Sequence, residues 1–129
     1  VLRAAVQARA HSPIEAVTDR RDMMELSTWL ALALVRQGRL TEARQMIDPV
    51  VKFQRELAVK NHGDQWQTVE LAAALYAQSL TGQPPTGNAR SAALLHEAAA
   101  KMDTLPAAMR SMHDVQRLRE FIRAAARGI

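Results

Sequence analysis

Residues 29–51 read WLALALVRQGRLTEARQMIDPVV, an apolar helical run that meets Gly38 and resumes a helical pattern at Thr41. A connection of two or three residues leaves the second helix nowhere to go but back along the first, so the stretch predicts an antiparallel helical hairpin. Ala31, Ala33 and Ala43 are small enough for the two backbones to approach, while Leu30, Leu34, Met46 and Ile47 fill the contact. Gly38 suits the left-handed position that ends many helices. Thr41 reads as the cap of the next one.

The first helical pattern reaches back through Leu26 and Met23 to about residue 19, and the second runs on to about Lys60 with Pro49 inside it. An internal proline removes one backbone hydrogen bond and clashes one turn back, a cost of about 3 kcal/mol unless the helix bends. A kink is therefore expected at Asp48-Pro49. Residues 29–35 are apolar almost all the way round, which calls for cover on more than one side, as in a stack of helices. Upstream, residues 1–10 read as the tail of a helix, and Ser12-Pro13-Ile14-Glu15 offers a capping box with proline at the first helical position.

Beyond the turn Asn61-His62-Gly63-Asp64, residues 65–80 carry Trp66, Val69, Ala72, Ala73 and Tyr76 on one face and Leu71 and Leu75 on a second. Residues 81–88 have loop composition. A helix over 89–103 follows, with Ala92, Leu95, Ala99 and Met102 as its stripe, and Leu105-Pro106 ends it. The pattern over 106–126 predicts one last helix. Its Met109, Met112, Val115, Leu118, Phe121 and Ile122 face one way, and Arg110, Arg117, Arg119, Arg123 and Arg127 largely another. One apolar and one charged face suit a helix that ends a stack in water.

Composition agrees with an all-α chain. Among 129 residues there are 24 alanines and only 4% aromatics, whereas strands draw on β-branched and aromatic side chains. With no cysteine, disulfides, thiolate chemistry and thiolate zinc sites are excluded. The charge of +4, from 14 arginines against 3 lysines beside the acids, is a modest attraction for acidic partners. No membrane span or signal-peptide pattern occurs, so a cytoplasmic protein is expected. A start at Val1 rather than methionine reads as a processed product or a piece of a larger protein.

The hairpin recurs. Ala31-Leu32-Ala33-Leu34 matches Ala73-Ala74-Leu75-Tyr76 at an offset of 42 residues, and Ala43, Met46, Ile47 and Val50 match Ala92, Leu95, His96 and Ala99 at 49. Repetition on this scale signals stacked supersecondary units. His96 then takes the place of Ile47, which predicts a partly buried histidine at a packing position. Repeat 1 covers about 24–60, repeat 2 about 65–103 and the capping helix about 106–126, all in one domain over 1–129.

Leu30-Ala31, Leu34, the Gly38-x-Leu40-x-Glu42-Ala43 turn, Ile47 and Val50 resemble the tetratricopeptide repeat (TPR), in its longer kinesin-light-chain-like variant. The segment from Asn61 to Asp64 with Val69, Ala73 and Tyr76 is similar to the opening of a second such repeat. Leu80 stands where the pattern has glycine, and the second turn is expanded. The resemblance implies a TPR-like superhelix of antiparallel hairpins whose first helices line a groove for a peptide or partner protein. It places the groove at Glu25, Thr28, Leu32 and Arg36, and at Gln67, Glu70, Ala74 and Gln78.

The functional expectation is a non-catalytic protein-protein or peptide interaction module, part of a regulatory or signalling protein. Richness in alanine and arginine with little lysine makes a bacterial source the expectation from composition. A homo-oligomer is compatible with this, and the partner is unnamed by the sequence. The alternative is a nucleic-acid-binding helical domain using the arginines of the last helix. No paired-carboxylate, nucleophile-base, phosphate-loop or metal-ligand spacing appears, and His11, His62, His96 and His113 are scattered, so no enzyme, metal or cofactor is expected.

Overall fold

The computed structural model describes residues 17–82 and 86–128, with side chains over 20–82 and 89–128. Among them are six helices and no strand: α1 (Val17–Arg36), α2 (Leu40–Lys60), α3 (Gln65–Ser79), α4 (Thr86–Asp103), the single turn α5 (Ala107–Arg110) and α6 (His113–Arg127). The expected elements at 1–10 and 12–15 lie outside the described residues.

At the first turn Gly38 has φ of +76°, the only positive φ among the described residues. Its N–H donates to Val35 O at 2.9 Å, and the Arg39 N–H donates to Leu34 O at 2.9 Å. These two bonds close a Schellman motif, which satisfies carbonyls that the helix end would leave open. Thr41 is not the cap. Helix α2 already begins at Leu40, with Arg39 at the N-cap and no side-chain cap bond. The Arg39 guanidinium turns forward to Glu42 at 2.6 to 3.0 Å, so charge rather than a hydroxyl organises this helix start. Helix α2 continues through Pro49 without interruption.

The second turn is built otherwise. The Thr81 hydroxyl donates to Gln78 O at 2.7 Å, and Ser91 donates to Ser79 O at 2.7 Å from α4. Side-chain hydroxyls thus meet the last carbonyls of α3 where the first turn uses a left-handed glycine.

Helix α1 packs on α2 and α3, α2 on α3, α3 on α4, and α6 on both α4 and α3. One layer therefore contains α1, α3 and α6 in that order, and α2 and α4 back it. The core between them is formed by Ile47, Val50, Leu71, Leu75, Leu95, Met102, Val115 and Ile122, all 2% exposed or less. Full burial of each such aliphatic side chain contributes about 1.5–3 kcal/mol.

Burial recurs along the chain. Ser27, Thr28, Leu30, Ala31 and Leu34 are buried in α1, as are Leu71, Ala72, Ala74, Leu75 and Gln78 in α3, each 44 positions later. Ala43, Ile47, Val50, Gln54 and Leu57 are matched by Ser91, Leu95, Ala98, Met102 and Leu105, each 48 positions later. Both offsets differ from those the sequence suggested. Leu95 rather than His96 takes the place of Ile47, and His96 is exposed, contrary to the expected packing position.

The last helix is also two pieces. Ser111 donates its hydroxyl to Ala108 O at 2.9 Å, and Met112 is extended at φ −65°, ψ 137°. Met109 is buried and Met112 exposed, so the expected continuous stripe is broken between them.

Ala43 has no exposed surface, at the contact of α1 with α2. Replacing it with Phe overpacks the hairpin and lowers stability by about 1–3 kcal/mol. The urea midpoint measures this, and an unchanged midpoint would show that the helices do not meet there.

Candidate functional site

The layer of α1, α3 and α6 presents one face across three helices. At one end Arg21 of α1 donates from Nε and Nη2 to the two carboxylate oxygens of Glu70 on α3, each at 3.1 Å. Asp64 lies 3.7 Å from the same guanidinium and caps α3 by accepting from the Gln67 N–H at 3.1 Å. Burial nevertheless raises the Glu70 pKa above its ordinary value. The pull of Arg21 is the smaller effect, and the negative charges of Glu25 and Asp64 add to the rise. This end of the face is acidic around a single arginine.

The other end is aromatic and basic. Tyr76 of α3 and Phe121 of α6 stack with centroids 6.3 Å apart at 13° between planes, and the Arg117 guanidinium lies 5.8 Å from the Phe121 centroid. Such contacts contribute about 0.5–1.5 kcal/mol beyond burial. Burial pushes the Tyr76 hydroxyl up, and the positive charge of Arg36, at the end of α1, opposes this. Phe121 at this end is 47% exposed; Trp29 of α1 is 58% exposed, and Trp66, at the start of α3 beside the acidic end, is 49% exposed.

The expected groove residues divide between these helices unequally. On α1, Glu25 and Arg36 are exposed and Leu32 is half-buried, but Thr28 is buried and donates its hydroxyl to Met24 O at 3.0 Å. On α3, only Glu70 reaches the face. Gln67 is buried and donates to the side-chain oxygen of Gln54 on α2, Gln78 donates to Asp48 of α2 at 3.0 Å, and Ala74 has no exposed surface. A side chain committed to α2 cannot meet a partner on the opposite face. The cause is the offset: a two-residue slip turns a helix by about 200°, which exchanges its inner and outer sides. With the offset of 44, Val69, Tyr76 and Leu80 correspond to Glu25, Leu32 and Arg36.

The expected groove did not include Trp29, Arg117 or the Tyr76–Phe121 pair; from the sequence Arg117 belongs to the charged face of the last helix, and Trp29, Tyr76 and Phe121 to apolar runs and stripes. Trp29 was open to detection, since it lies four residues from Glu25 and three from Leu32, on the same flank of the helix. The aromatic pair is joined only by the packing of α3 on α6.

Behind this layer, Arg55 of α2 grips Glu97 of α4 at 2.5 and 2.8 Å. The hydrogen bond from Arg55 holds the Glu97 carboxyl below its ordinary value. His62, His96 and His113 are exposed, and the described residues contain no group of three or more His, Asp or Glu able to hold a metal ion. No described helix is long and apolar enough to cross a membrane. Comparison with protein-family models, with curated proteins and with solved structures finds no match to this chain.

The two carboxylates that join helices within each layer respond oppositely to pH. Glu97, lowered in the folded state, stabilises the fold above its unfolded pKa, and that contribution is lost as pH falls through its folded pKa. Glu70, raised in the folded state, favours the fold below its unfolded pKa, and that contribution is lost as pH rises through its folded pKa. Carbon-detected NMR titration is expected to place Glu97 below and Glu70 above ordinary glutamate. Arg55→Ala should return Glu97 upward and leave Glu70 in place. Movement of both, or of neither, contradicts the separate ion pairs.

Proposed function

We propose that the chain is a non-catalytic interaction module, a TPR-like stack that takes a protein segment or peptide on the face of α1, α3 and α6. The observation that supports this most is the separation of the two layers. Helices α2 and α4 supply backing through buried contacts, while the half-exposed aromatics Trp29, Trp66 and Phe121 all belong to the other layer. Exposed aromatic side chains grouped with arginine are what anchors a partner, because they offer large contact area at small entropic cost. The recurrence of burial at 44 and 48 residues supports the likeness to stacked repeats.

The nucleic-acid alternative has less to draw on. Arg119 is held by Asp103 of α4 at 2.9 Å and Arg117 lies over Phe121, leaving Arg123 and Arg127 as the exposed cations of α6 without such contacts.

A photo-cross-linking side chain in place of Trp66 on α3, compared with one in place of the exposed Val59 on α2, tests the assignment in a native lysate. The expected product is a specific adduct, with a protein other than a copy of this chain, from position 66 alone. Adducts from position 59 alone, or equally from both, would contradict it.

A further inference from the structure

Glu25, Trp29, Leu32 and Arg36 follow a four-three-four spacing that sets them in line on one flank of α1, over about 16 Å of helix. Glu25 and Arg36 are exposed, Trp29 is the most open aromatic of those described above, and Leu32 is half-buried. Among the described residues neither end of this row has an ion-pair partner within 4 Å, whereas Arg21, Arg39, Arg55 and Arg119 each have one. The apolar run that begins at Trp29 is thus covered by α2 and α3 but left open along this third side.

The row reads the same distance in either direction, with opposite charges at its ends. Laid antiparallel against its own copy, it sets Trp29 over the second copy's Leu32 and Glu25 beside the second copy's Arg36. Each contact occurs twice about an axis passing near residues 30 and 31. A patch that is complementary to itself on reversal is what a two-fold interface requires.

We propose that a second copy of this chain docks on this flank of α1 as an antiparallel, two-fold related helix pair. The proposal deepens the binding role given above, since it uses the α1 part of the same face and so makes self-association a competitor of partner binding. A net charge of +4 on each copy gives no general attraction between them, so the charges at the row's ends must supply the match locally. A parallel arrangement is disfavoured by the same row, because it would set Glu25 against Glu25 and Arg36 against Arg36.

Sedimentation equilibrium over a range of concentrations tests this, with circular dichroism to confirm that each variant folds. The parent chain is expected to dimerise. Glu25→Arg alone and Arg36→Glu alone each place like charges at both ends of the interface, and each should weaken dimerisation at least about ten-fold. The double variant Glu25→Arg/Arg36→Glu should recover it, and so should an equimolar mixture of the two single variants. Trp29→Ala should weaken it without altering the fold. A monomeric parent, a dimer indifferent to the single reversals, or a double variant as weak as the single ones would each overturn the proposal. None of those results touches the cross-link expected from position 66, which tests the binding role separately.

Discussion

Helix α3 is in contact with α1, α2, α4 and α6, and it can be so only because its flanks are small. Ala72, Ala74 and Ala77 have no exposed surface, and Leu71 and Leu75 between them fill the space against Ile47 and Leu95. A helix with bulk on every side would hold its neighbours too far apart to close over a common core. Alanine gives up side-chain burial at these positions but permits the close approach that buries the leucines beside it. A ring in place of one of these alanines would separate the layers.

Polar contacts then set the register of helices brought together by apolar burial. Arg21 and Glu70 join α1 to α3, Arg55 and Glu97 join α2 to α4, and Asp103 and Arg119 join α4 to α6. Such pairs, partly exposed, contribute little individually, commonly about 0.2–1 kcal/mol. Their value lies in selecting one alignment among several that would bury similar area. The buried bond between Gln67 and Gln54 acts similarly within the core, because sliding α3 along α2 would leave two amides without partners. The layer of α1, α3 and α6 inherits its face from this alignment. The acidic end around Arg21 and the aromatic, basic end at Tyr76, Phe121 and Arg117 are consequences of which residues the register leaves outward.

The hairpin at Gly38 was legible because it depends on local chemistry, a glycine that accepts positive φ between two apolar helical runs. The ends of the helices at Arg36 and Lys60 were legible for the same reason. Thr41 misled because a hydroxyl near a helix start is only a tendency, and Arg39 with Glu42 supplied a competing arrangement. The break at Ser111 and Met112 hid inside a continuous apolar periodicity, which does not reveal a serine that turns its hydroxyl back on its own helix. The face of α3 was misassigned by two residues because alanine-rich helices give several near-equal alignments. Burial distinguishes them, with Gln67 and Gln78 turned to α2 and Tyr76 turned to α6. His96 was misplaced by a separate slip of one residue on α4, where Leu95 rather than His96 is buried.

The proposed binding face depends on α3 being enclosed by its four neighbours. Native-state hydrogen exchange of the amides from Leu71 to Ala77 tests this directly. Enclosure predicts that these amides are the slowest in the chain and exchange only when the entire domain unfolds, with a denaturant dependence equal to that of global unfolding. Exchange of α3 through local opening, ahead of α1 or α6, would contradict it.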